Sequence, residues 1–127
     1  MRRLAVLVVL ALAPAALAAQ QSRPPEATDS AIARGRELYA GAANCQECHG
    51  RDGRGTKDGP DLTDATWTQA DGSYAGIVKL VTHGVSKRNS TTGKEMPMRG
   101  WEPLDDAQVR AVAAYVWSLS HPDRPPR

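Results

Sequence analysis

At 127 residues the chain is long enough for one compact domain, and its 16 basic and 14 acidic residues leave a formal charge of only +2, which excludes the basic surface that nucleic acid or an anionic membrane would need. Even that excess sits in Arg2 and Arg3, so the chain after residue 18 is balanced. There is no Phe, and only three Trp and three Tyr, too little large apolar material to complete a core. Another buried group is expected to make up the difference.

The first element is a signal peptide over residues 1–18. Arg2-Arg3 precede an apolar run from Leu4 to Ala13, and Pro14 and the small-residue pattern Ala16-Leu17-Ala18 follow, the layout of a cleaved export signal. The apolar stretch falls short of the ~20 residues of a spanning helix and contains Pro14, so cleavage is expected, giving an exported, periplasmic chain with no transmembrane segment. Residues 19–29, with Arg23-Pro24-Pro25, read as a flexible lead-in, and residues 121–127 as a Pro-rich tail.

Between them lie three helical patterns and no strand. The first runs from about Ser30 to Ala43, capped by Asp29 or Ser30, with Ile32, Gly35 and Tyr39 on one face. The second starts after Ser73 as N-cap, with Tyr74, Ile77, Val78 and Val81 on a stripe and Gly84 as a left-handed end. The third begins with Asp105 and Gln108 as a capping box and buries Val112, Tyr115, Val116 and Leu119. The connections from Gly50 to Asp71 and from Val85 to Glu102 are too long for ordinary loops in so small a domain, so they are expected to wrap something.

The chemistry lies in Cys45-Gln46-Glu47-Cys48-His49, which contains both cysteines of the chain. C-x-x-C-H is the attachment pattern of c-type haem: two thiols add to the two vinyl groups on one porphyrin edge, and the adjacent histidine reaches the iron. A zinc site would need four protein ligands and has no second C-x-x-C. A thioredoxin-like pair would need a βαβ setting, and a plain disulfide would leave His49 without a role. The haem reading leaves one axial position to fill. Met96, Met98, His83 and His121 are the candidates, and a methionine opposite histidine is a ligation that raises the reduction potential. Pro97 favours an extended segment that can present the sulfur of Met96, but spacing does not separate Met96 from Met98.

From residue 30 to 120 the chain resembles the class I c-type cytochromes, and the resemblance rests on several motifs in order. Gly35-Arg36-Glu37-Leu38-Tyr39 is similar to the family's first helix and Gly59-Pro60-Asp61-Leu62 to the loop whose proline carbonyl accepts the histidine Nδ1 hydrogen. Met96-Pro97 is similar to the axial methionine and its proline, and Ala113 to Leu119 to the last helix, which crosses the first. Gly59 to Thr66, with Trp67, is most similar to haem domains of bacterial oxidase subunits and small periplasmic carriers.

The resemblance implies an all-α fold of three to four helices and long loops around one covalent haem. It implies haem binding by Cys45, Cys48, His49, Met96 and Pro60, with His49 and Met96 on the iron, and it favours Met96 over Met98. It gives Gly35 the helix crossing, with Tyr115 close by, and makes Pro60 the group that orients the imidazole. The polar stretch Ser86 to Glu95 departs from the shortest members as an insertion before Met96.

With two thioethers and two axial side chains the iron has no vacant position. The expected function is therefore electron transfer between redox protein partners, by a monomer, without catalysis. Arg51, Arg54, Lys57, Lys87, Arg88, Lys94 and Arg99 could steer acidic partners, although Asp52, Asp58, Asp61 and Glu95 are interleaved. The alternatives are a bound haem subunit or dedicated acceptor of a larger oxidase or dehydrogenase, a five-coordinate gas-binding or peroxidase-like protein, and, more remotely, a thiol or zinc module.

Overall fold

A computed structural model describes residues 23–122; the expected signal peptide and all but the first two residues of the Pro-rich tail lie outside the described residues. Four helices follow one another: α1 (Asp29–Ala40), α2 (Gln46–His49), α3 (Tyr74–His83) and α4 (Asp106–Leu119). No strand forms among the described residues, where extended pairing is limited to the isolated bridges Thr56–Gly59 and Val85–Met96. The all-α expectation is met.

Local chemistry explains where the helices begin. The Ser73 hydroxyl accepts from the Gly76 N–H at the start of α3. At α4 the Asp105 carboxylate accepts from the Gln108 N–H (2.8 Å) while the Gln108 side chain accepts from the Asp105 N–H (2.9 Å), a complete capping box. The start of α1 differs from expectation. Thr28, and not Asp29 or Ser30, is the cap, its hydroxyl accepting from the Ala31 N–H at 3.1 Å. Three capping residues in a row leave sequence unable to choose among them. The helix also ends at Ala40 and not Ala43, because the Gly41 N–H closes on the Glu37 carbonyl and the Ala43 N–H turns back to Leu38. Part of the lead-in is packed as well: a turn brings the Ala27 N–H to the Pro24 carbonyl (2.9 Å) and buries Ala27 completely.

The core lies where α1 and α3 pack on α4, with α1 in the more extensive contact. Burial along α4 is wider than the expected stripe. Val109 and every residue from Ala111 to Trp117 are buried, whereas Leu119 is only partly covered. The alanines permit close approach. A Cβ placed on Gly35 would lie 1.9 Å from the Ala111 carbonyl oxygen and 2.8 Å from Tyr115 Cβ, so α1 and α4 touch backbone to backbone and only glycine fits. Tyr39 packs one turn on, edge to face with Tyr115 at 5.2 Å between ring centroids, an arrangement worth about 1 kcal/mol beyond its buried area. At the far end His121 stacks on Trp117, with centroids 4.2 Å apart.

Candidate functional site

The two long connections line, together with α3 and α4, a cavity of about 260 Å³. Cys45, Cys48, His49, Pro60 and Met96 all line it, with Trp67, Leu80 and Val116 among the apolar residues around them. Residues Gln46–His49 of the C-x-x-C-H motif form α2, one helical turn, with Cys45 at its N-cap. Its His49 N–H donates to the Cys45 carbonyl (2.9 Å), which sets both thiols and the imidazole on a single rigid turn.

Burial lowers the pKa of His49 even though its bond to Pro60 acts the other way, so the ring is neutral at pH 7. Its Nδ1 lies 2.9 Å from the Pro60 carbonyl oxygen. A carbonyl can only accept, so Nδ1 carries the hydrogen and Nε2 keeps its lone pair, the form in which histidine binds a metal. Burial pushes the Cys45 thiol up to about 11, the opposite of the low pKa that marks a redox-active cysteine pair. The two cysteines are free, and no group of three His, Cys, Asp or Glu side chains that could hold a metal occurs among the described residues. A neutral imidazole, two free thiols on one turn and an apolar cavity fit a covalently attached porphyrin.

The candidates for the second axial position separate in space. Met96 lines the cavity and is held at the backbone in both directions, its N–H donating to the Val85 carbonyl and its carbonyl accepting from the Val85 N–H, each at 2.9 Å. Met98 is 67% exposed. The chain does not stay extended after Pro97 but turns at residues 98–100, with Arg99 at φ 60. His83 closes α3 and is exposed, and the His121 Nδ1 lies 2.8 Å from the Trp117 carbonyl oxygen; neither lines the cavity. Gly84 has the expected positive φ of 65, but its ψ of −169 is extended and not left-handed helical. The next residue, Val85, pairs with Met96, and the close approach requires glycine, since a Cβ at Gly84 would meet the Met96 carbonyl oxygen at 2.4 Å.

Sequence reading missed several cavity residues. Trp67 enters the sequence reading only through a resemblance, and nothing in the pattern singles out Trp101, which lines the cavity and is 73% exposed. Tyr39, placed at the crossing, also reaches the site, donating from its hydroxyl to the Gly50 carbonyl at 2.8 Å. Of the basic residues considered for steering, Lys57 and Lys94 lie 3.1 and 4.0 Å from Asp58. Arg99 pairs with Asp106 at 2.8 Å and donates to the Leu104 carbonyl. Those three charges are partly neutralised within the molecule.

The chain is similar to known proteins. The cytochrome c family profile matches residues 32–120. The chain is 37% identical over 93 residues to the cbb3-type cytochrome c oxidase subunit FixPc of Rhizobium leguminosarum bv. viciae, covering 72% of this chain and 31% of that protein. It is 34% identical over 93 residues to subunit CcoP of Rhodobacter capsulatus, covering 67% and 28%. It thus spans about a third of the length of these relatives. Among solved structures, cytochrome cL of Methylophaga aminisulfidivorans MPT superposes with a TM-score of 0.56 at 24% identity, over 76% of this chain and 57% of that one, a likeness of fold. With the haem-attachment turn, the histidine–proline bond and the helix crossing all in the matched region, the chain belongs to the cytochrome c family, whose cofactor is covalent haem c.

Proposed function

We propose that this protein is an exported, periplasmic electron carrier with a single haem c ligated by His49 and Met96. Residues 1–18 are its export signal, and 30–120 its haem domain. What supports the reading is one juxtaposition: the two cysteines, a neutral His49 fixed by Pro60, and Met96 face the same apolar cavity. The bound haem supplies a reversible one-electron iron couple. Everything else is the work of the chain. Cys45 and Cys48 hold the group by thioether bonds, and His49 ligates through Nε2. Pro60 keeps the Nδ1 hydrogen, which orients the ring and strengthens its donation. Met96 would supply a thioether ligand to the iron, which favours the reduced state. With His49 and Met96 both engaged, the flanking loops would cover the group and leave substrate no open position on the metal.

Carbon monoxide tests this in the haem-loaded, reduced protein. The spectrum of the wild type is expected to stay unchanged under the gas, and that of Met96→Ala to shift at once. Immediate binding by the wild type would instead mean an open coordination position and a gas-binding or peroxidase-like role.

One observation favours a second reading, that of a haem subunit or dedicated acceptor of a larger oxidase. The curated relatives are cbb3-type oxidase subunits about three times as long as the matching region. Isolation of the protein from its native membranes in a stable complex would select that reading; recovery as a free monomer would select the carrier.

A further inference from the structure

The loop from Ser86 to Glu95 is anchored on opposite sides of the site by its ends and by its body. Its neck is the Val85–Met96 bridge, so whatever moves the loop bears on the methionine. Its body reaches the histidine side. The half-buried Thr92 hydroxyl lies 3.0 Å from the Asp58 carbonyl oxygen, across 34 residues of sequence.

That contact continues toward His49 through the Thr56 hydroxyl and the backbone of residues 56–60. The Asp58 N–H donates to the Thr56 hydroxyl (3.0 Å), and the Thr56 hydroxyl donates to the Cys48 carbonyl (2.6 Å). The Thr56 N–H donates to the Gly59 carbonyl (2.9 Å), and the next residue, Pro60, accepts the His49 Nδ1 hydrogen. The single hydroxyl proton of Thr92 must go to Asp58, because a carbonyl only accepts. Ser90, 3.1 Å from Thr92 Oγ1, is therefore the donor of that pair. Its oxygen in turn accepts from the Thr92 N–H, which fixes the Thr92 side chain locally.

We propose that Thr92 is a positioning residue: its hydroxyl bond to Asp58 ties the methionine loop to the turn that carries Pro60, so the two axial ligands are held as one unit. This rests on His49 and Met96 as the ligands. A second tether, from the Gln69 side-chain amide to the Asn89 carbonyl at 2.8 Å, holds the same loop without touching Asp58, and so serves as a control.

The test is proton NMR of the reduced, haem-loaded protein for wild type, Thr92→Val, Thr92→Ser and Gln69→Ala. The strongly shifted methyl signal of an iron-bound methionine reports ligation, and solvent exchange of the His49 Nδ1 hydrogen reports the far end of the tether. Loss of one hydrogen bond is expected to make that exchange about fivefold faster in Thr92→Val. Thr92→Ser should return it to within twofold of wild type, and Gln69→Ala should leave it there. An unchanged rate in Thr92→Val would overturn the proposal, as would failure of Thr92→Ser to restore it or an equal rise in Gln69→Ala. A wild type lacking the shifted methyl signal would overturn the ligation itself, a failure separate from that of the tether.

Discussion

The α1–α4 side of the molecule and the loop side are built on different principles. On the first, the chain packs against itself. Val112, Ala113 and Ala114 have no exposed surface, Tyr39 and Trp117 almost none, and the backbones meet at Gly35. On the second, Cys45, Cys48, His49, Trp67 and Met96 remain half-buried around a cavity, with turns and single bridges in place of regular structure. Helices close their own hydrogen bonds and need only an apolar stripe to dock. The loops gain little from one another and are shaped to cover something else. A chain without Phe leaves a cavity on the loop side, where a haem would add the buried apolar surface the side chains lack.

The largest effect follows from removing that haem. Haem-free protein carrying Cys45→Ala and Cys48→Ala is expected to lose its cooperative thermal transition and most of its helical circular dichroism, because cofactor binding contributes directly to folding. A cooperative melt with native helicity would show that the α1–α4 side stands alone and would break the comparison.

Next is the crossing. Gly35→Ala puts a methyl group into the Ala111 carbonyl and is expected to cost about 3 kcal/mol in denaturant unfolding of the haem-loaded protein, the upper end of ordinary overpacking. A loss under about 1 kcal/mol, the propensity scale of a helical glycine, would mean that the two backbones separate easily. The smallest effect is expected at the edge of the same side, where Asp105→Ala removes one half of an exposed capping box and should cost about 1 kcal/mol, leaving the haem spectrum unchanged.

Legibility in the sequence divides along the same line. Ser73 and the Asp105–Gln108 box could be read because a cap is a contact within three residues. C-x-x-C-H could be read because its spacing is its chemistry. The four-residue α2 has no periodicity to detect, being a single turn held by its own motif. Met96 and Met98 could not be told apart from spacing because the turn that exposes Met98 depends on Arg99 held at φ 60, its N–H on the Val81 carbonyl (2.8 Å) and its guanidinium on Asp106. The place of Thr92 depends on a backbone carbonyl 34 residues away, a distance no local pattern encodes. The Pro60 contact was legible only through family resemblance, since nothing in the composition of Gly59-Pro60-Asp61 says where its carbonyl will point.

The central claim is that the loop side is closed by His49 and Met96 on one iron, and the optical spectrum of the oxidised protein tests it most directly. The weak long-wavelength band of a sulfur–iron bond is expected in the wild type and in Met98→Ala and should be lost in Met96→Ala. A wild type without the band, or a band that disappears with Met98 and survives without Met96, would contradict the account.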